Sequence, residues 1–285
     1  MWAIHHLWEN YSKGHELMIK SLRTRLKNTI HPFKENIFYI HIPKCGGTSI
    51  GTAIRRCYLT LDKRRDHELN RFSPQAMGNI IRILNEESGA NRLRLREAVI
   101  LYLMSIRKRN ALPILGHIPF SEIAYQEFHD RYAFVSILRN PVDRWLSEYT
   151  FNKYKESGSM KHTAQCDIDN YMESDYGKAQ GGQYGLFLGG LRKDGDYTSK
   201  EAVQKAIEHI RLFSVIGCLE NLEDFKEQFY DKFGTRLNIE RKNVNPMPAD
   251  ATENTITDEI RRKIENICES DLEIYEYLRK HLGFV

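Results

Sequence analysis

Residues 37–49 read IFYIHIPKCGGTS, and the fold of the chain turns on how this stretch is parsed. Ile37, Phe38, Tyr39, Ile40 and Ile42 form a nearly continuous apolar run, the pattern of a strand buried on both faces, as central parallel strands are. Pro43 has no N–H to give to a ladder, so the strand should end there. From Ser49 to Arg56 a helix is predicted, with Ile50 and Ile54 on one face. Strand, glycine loop and helix in that order point backbone N–H groups and a helix N-terminus at an anion, and the loop is read as a phosphate holder. A tight turn whose glycines only allow positive φ is the plainer alternative. The usual nucleotide pattern G-x-x-x-x-G-K-[ST] is absent, because Lys44 precedes Gly46 and Gly47.

The chain of 285 residues is 41% hydrophobic and 28% charged, which suits an α/β domain with elaborations. No internal repeat or low-complexity tract is evident, so a solenoid is not expected. The longest apolar run, AVILYLMSI at 98–106, is too short to span a bilayer, and the first twenty residues lack the unbroken apolar core of a signal peptide. A cytoplasmic, bacterial enzyme is the expectation. Five cysteines without C-x-x-C spacing argue against a disulfide framework and a structural zinc site. Cys45 sits in the anion loop, where a helix N-terminus could activate its thiol, or where a small side chain simply fits.

Net charge is +4, unevenly placed: residues 62–110 hold eleven Lys/Arg against six Asp/Glu. Within that region RLRLREAVILYLMSIRKR reads as a helix with arginines at both ends. It is either a solvated face or a surface that attracts an acidic acceptor, and Arg92, Arg94 and Arg96 are the residues to test. No nucleic-acid-binding signature accompanies the charge.

A second anchor lies at 132–154, YAFVSILRNPVDRWLSEYTFNKY. Tyr132 to Leu138 is another buried-strand pattern. Asn140 suits an N-cap and Pro141 the first helical position, with Trp145, Leu146 and Tyr149 at helical spacing behind them. Arg139 is left at the strand's C-terminal edge, where open α/β sheets bind ligands, unless it pairs with Asp143.

HIPKCGGTS and RNPVDRWLSEY, each following a strand, resemble the two cofactor signatures of sulfotransferases, enzymes that use 3′-phosphoadenosine 5′-phosphosulfate (PAPS). The resemblance implies an α/β fold with a P-loop-like central parallel sheet flanked by helices. It assigns Lys44, Cys45, Gly46, Gly47, Thr48 and Ser49 to the 5′-phosphosulfate loop, and Arg139 and Ser147 to the 3′-phosphate. An Arg fork and hydroxyl donors suit phosphate oxygens. The order Lys-x-Gly-Gly-Thr-Ser is most similar to the carbohydrate branch that includes heparan sulfate 2-O-sulfotransferase. LGHIPF at 115–120 aligns there with the segment carrying a catalytic His, which gives His117. AQGGQYGLFLGG at 179–190 resembles an acceptor-side loop, and FSVIGCLENLEDF at 213–225 a later strand–turn–helix of the core. IERKNVNP at 239–246 stands where the family closes a basic segment over the nucleotide, which suggests Lys242 and Asn243.

The implied reaction is in-line sulfuryl transfer to a hydroxyl of a carbohydrate, glycolipid or small molecule. His117 is the expected base and Lys44 the cation for the leaving oxygen, and no metal is called for. His41, just before the loop, is the rival histidine among eleven. A P-loop kinase-like phosphotransferase or a non-catalytic nucleotide or glycan-binding module are the alternative functions. Residues 1–35 read as an accessory helical segment and 36–285 as one domain with a basic elaboration at about 62–110. Capping boxes are predicted at Thr198/Glu201 and Ser270/Glu273.

Overall fold

A computed structural model describes residues 18–24, 26, 33–59, 89–106, 113–154, 167–240 and 256–283. After a helical stretch at 18–24 the elements run β1 (Ile37–Ile40), α1 (Gly47–Tyr58), α2 (Gly89–Ile106), β2 (Ile114–Gly116), α3 (Glu122–Phe128), β3 (Ala133–Leu138) and α4 (Pro141–Tyr154). They continue with α5 (Ile168–Glu173), α6 (Asp175–Ala179), α7 (Gln183–Gly189), α8 (Lys200–Ile210), β4 (Val215–Cys218), α9 (Leu222–Phe233), α10 (Asp258–Ile267) and α11 (Glu269–His281). The described strands make one parallel sheet of four, in the order β2–β1–β3–β4. This is the expected α/β architecture, a parallel sheet flanked by helices.

Every residue of β1 is at most 1% exposed, as its unbroken apolar run requires of a central strand. Phe38 pairs in register with Phe134 on β3, and the two rings meet edge to face at 5.2 Å. Ile50, Ile54 and Tyr58 carry α1 onto the same core. α7, α8 and α11 pack against one another beside it. A second cluster, built on Trp145, Tyr149, Tyr171, Met172 and Ile264, fastens α4 to α5 and α10.

The segment 179–190 is not a loop. It forms a 3₁₀ turn and then α7, with Tyr184 and Leu188 fully buried. Its five glycines suggest a loop, but Gly181 and Gly185 serve close packing: a Cβ on either would stand 1.9 Å from a backbone carbonyl oxygen. Both capping boxes are also displaced. Ser199, not Thr198, caps α8, accepting the Ala202 N–H at 3.3 Å, while Thr198 donates to Asp196 and Glu201 pairs with Arg192. Ser270 lies inside α11, where its hydroxyl donates to the Gly181 carbonyl at 3.3 Å.

Candidate active site

The chain passes from β1 to β2 on one side of the sheet and then to β3 on the other. The order therefore reverses between β1 and β3, and open parallel sheets bind ligands in the crevice outside the strand ends at such a point. The two loops that leave those strands meet there. Arg139, directly after β3, donates from Nη1 to the Lys44 carbonyl at 3.4 Å.

The first loop is shaped by its backbone. Lys44 has φ 66° and Gly46 φ 72°, two left-handed residues in three positions. A lysine there is strained by about 1–2 kcal/mol relative to its ordinary conformations. Turns of this kind align successive N–H groups into an anion-binding concavity. α1 starts at Gly47 with Gly46 as N-cap, and the earliest helix bonds are Ser49 and Ile50 N–H to the Gly46 carbonyl, at 3.1 and 3.3 Å. The Gly47 and Thr48 amides thus lie in the turn where helix geometry provides no intrahelical carbonyl. Both glycines are forced by neighbours: a Cβ on Gly47 would fall 1.8 Å from the His41 ring, and one on Gly46 would fall 2.9 Å from Leu219. Ser49 is half-buried and Thr48 exposed.

Cys45 points inward. It is fully buried, with Sγ 3.7 Å from both the Pro43 carbonyl and the Tyr184 hydroxyl, and burial pushes its pKa up to about 11. Its thiol is inert at neutral pH, which favours the small-side-chain reading. Lys44 turns onto α4, its Nζ 3.5 Å from the centre of the Phe151 ring. Ser147 is four residues before Phe151, so the two share one face of α4 and Lys44 lies against that face.

The second loop is shaped by side chains. Asn140 Oδ1 accepts the Val142 and Asp143 N–H groups at 3.0 and 3.3 Å, the N-cap that the sequence suggests. Glu220 accepts the Asn140 N–H at 2.7 Å and the Tyr275 hydroxyl at 2.7 Å, tying β4 to the same turn. The Tyr184 hydroxyl accepts the Arg139 N–H at 3.0 Å and donates to the Arg139 carbonyl. Asp143 pairs with Arg261 at 3.4 Å, leaving Arg139 directed at the first loop.

Beneath this turn Arg144 is fully buried, bonded to the side chain and carbonyl of Gln180. Asp271, also fully buried, accepts the Tyr184 N–H at 2.8 Å and the Gly185 N–H at 3.4 Å. Burial pushes Asp271 up to about 7 against the pull of Arg144. These charges hold α7, and through Tyr184 the backbone of Arg139. Sequence patterning missed them because Arg144 and Asp271 stand at positions that read as helix surface.

His117 follows β2 and is exposed at the edge of the crevice. Its Nδ1 lies 2.7 Å from the His41 carbonyl, which can only accept, so Nδ1 carries the proton and donates. In the neutral ring Nε2 is then the basic nitrogen. Surrounding protein lowers the His117 pKa, helped by Arg96 and opposed by the His41 carbonyl and by Glu148 on α4. Arg96 on α2 donates to the His117 carbonyl at 3.0 Å. His41, its ring 4.2 Å from that of His117, is held down to about 3 by burial and then by His117 and Arg55. It is therefore a neutral spacer wedged against Gly47. Lys242 and Asn243 lie outside the described residues, and of Arg92 only the backbone is described. No cluster of metal-ligating side chains is found among the described residues.

The Sulfotransferase family model matches residues 28–278, which takes in the sheet and both loops. The chain belongs to the sulfotransferase family. No curated protein matches it significantly. In this sulfotransferase the strand order, the left-handed Lys44 loop and the Arg139 turn bring the two anchor segments into direct contact, while His117 enters from β2. No helix among the described residues is long and apolar enough to cross a membrane.

Proposed function

We propose that this sulfotransferase transfers a sulfuryl group from PAPS to a hydroxyl on a carbohydrate acceptor, with His117 as the general base. The observation that carries the reading is the His117 Nδ1 bond to the His41 carbonyl, which leaves Nε2 as the proton acceptor beside the anion loop. PAPS supplies an activated sulfuryl group whose bridging oxygen departs with the nucleotide phosphate. The N–H groups of Gly46, Gly47 and Thr48, with the Thr48 and Ser49 hydroxyls, hold the 5′-phosphosulfate. Lys44 supplies positive charge at the leaving oxygen, and an ammonium resting on an aromatic face can move to a stronger anionic partner. Arg139 and Ser147 hold the 3′-phosphate, a planar guanidinium and a hydroxyl suited to its oxygens. Lys242 and Asn243 complete the nucleotide contacts, and Cys45 contributes through its backbone and its fit to the turn.

In the same reading residues 36–285 make up the transfer domain and residues 1–35 an accessory segment. The Lys-x-Gly-Gly-Thr-Ser order supports the carbohydrate branch that includes heparan sulfate 2-O-sulfotransferase. Four buried free cysteines suit a reducing, cytoplasmic setting.

His117→Ala should lower kcat by about 10²–10⁴-fold and leave PAPS affinity intact, because the imidazole touches neither phosphate. The acid limb of the rate profile should lie below the ordinary histidine pKa of about 6.5, since the folded environment lowers the His117 pKa and its basic form survives to lower pH. His41→Ala should instead reduce stability or PAPS affinity, through the Gly47 contact. Normal turnover by a folded His117→Ala protein would remove His117 as the base.

A further inference from the structure

Phe151 is half-buried on α4 and belongs to neither hydrophobic cluster among the described residues. The helix is fixed from its other side, where Trp145 and Tyr149 are buried and Trp145 Nε1 donates to the Gly177 carbonyl at 2.8 Å. Ser147 and Phe151, one turn apart, share the face that Lys44 lies against, and the Lys44 ammonium stands 3.5 Å from the centre of the Phe151 ring. That is well inside the ~6 Å over which a ring face attracts a cation.

Backbone fixes both ends of this contact. Lys44 is held left-handed at φ 66° between Pro43 and buried Cys45, and Asn140 caps the helix that carries Phe151. A lysine stem is long and flexible, and bringing its ammonium to one place costs rotamer freedom. A ring face restricts the stem before the substrate arrives, without cancelling the charge. A carboxylate in the same place would neutralise the ammonium and compete with a phosphate oxygen for it. An ammonium has three N–H donors, so one side can rest on the ring while another turns to an oxygen.

We propose that Phe151 is a positioning residue for sulfuryl transfer, its ring backing the Lys44 ammonium while the leaving oxygen gains charge. The inference rests on the role proposed for Lys44. As the bond between sulfur and the bridging oxygen breaks, its electron pair stays on that oxygen, now part of the nucleotide phosphate. The new bond joins sulfur to the acceptor oxygen, whose proton passes to His117. The ammonium shifts toward the bridging oxygen, and the ring behind it keeps that approach short.

Phe151→Leu removes the ring and keeps an apolar side chain, whereas Phe151→Tyr keeps the ring. In protein isotope-labelled at the lysine ε carbons, the NMR signal of Lys44 is assigned by its loss in Lys44→Ala. The ring current should move that signal upfield in wild type and Phe151→Tyr but not in Phe151→Leu. Single-turnover cleavage of PAPS, with water as acceptor, should slow about 2–30-fold in Phe151→Leu, the range of a cation–π contact, and recover most of its rate in Phe151→Tyr. The PAPS concentration for half-saturation should hold, because the bridging oxygen carries little charge until the bond breaks. In the Lys44→Ala background Phe151→Leu should change the rate no further, whereas a structural role would slow both backgrounds alike. Equal slowing in both backgrounds, an unshifted Lys44 signal in wild type, or faster cleavage by Phe151→Leu overturns the assignment. A rise in half-saturation with an unchanged maximal rate overturns it too, since the ring would then serve binding alone. Failure of adenosine 3′,5′-bisphosphate to bind the wild type would defeat the proposed function instead.

Discussion

The two turns that flank the crevice solve similar problems by different means. After β1 the turn is made by backbone: left-handed Lys44 and Gly46, a glycine pressed on the His41 ring, and helix-start amides. After β3 it is made by side chains: Asn140 caps α4, Glu220 holds the Asn140 amide, and the Tyr184 hydroxyl grips both the N–H and the carbonyl of Arg139. A backbone site tolerates changes of side-chain chemistry but not of volume or φ. A turn made by side chains is the opposite: each substitution removes a hydrogen bond or a charge that shapes it, while its backbone keeps ordinary φ.

The hardest test of that contrast is Gly47→Ala. Its Cβ would overlap the His41 ring at 1.8 Å, so the variant should lose about 3 kcal/mol of stability, near the upper end of overpacking costs, together with nucleotide binding. Denaturant titration and bisphosphate binding measure both, and a stable variant with normal affinity would show that the loop is not sterically fixed. Next in size is Arg139→Ala, which should weaken adenosine 3′,5′-bisphosphate by about 1.5–3 kcal/mol and a nucleotide without the 3′-phosphate far less. Equal losses would remove Arg139 from the 3′-phosphate.

Tyr184→Phe cuts the link between α7 and the second turn without touching ligand. About 1 kcal/mol of stability should go, with a smaller fall in bisphosphate affinity. An unchanged melting curve would mean that the clamp is idle. Smallest of all is Cys45→Ala, which removes a buried thiol held only by two 3.7 Å contacts. It should cost no more than about 1 kcal/mol and leave nucleotide affinity unaltered. A tenfold loss of affinity there would show that the turn depends on its side chains after all.

Much of this was legible in one dimension because it is local physics. β1 and β3 could be read from apolar runs, since a strand buried on both faces takes few polar residues, and the one in β3, Ser136, is buried with its hydroxyl donating to the Ile40 carbonyl at 2.9 Å. The Asn140–Pro141 start of α4 needs only the geometry of a first helical turn. Lys44, the two glycines and Arg139 stood out because each follows an apolar strand, where open α/β sheets bind ligands. Where local spacing and fold disagree, the cause is a distant or competing partner. Thr198 and Ser270 have capping-box spacing, yet Asp196 takes the first hydroxyl and the Gly181 carbonyl the second. Glycine content marked 179–190 as a loop, where close helix packing was the reason for the glycines.

The alternation of apolar strands with capped helices, and the chemistry stationed at two strand ends, depend on neighbours a few residues away and can be read along the chain. The tertiary structure alone decided that Arg139 reaches Lys44, that Tyr184 and buried Arg144 and Asp271 support the second turn, and that the Lys44 ammonium lies on the Phe151 ring. Those contacts join residues tens of positions apart. Their energy comes from burial and from pairing polar groups that water no longer reaches, and no local pattern in the chain encodes which distant partner will be there.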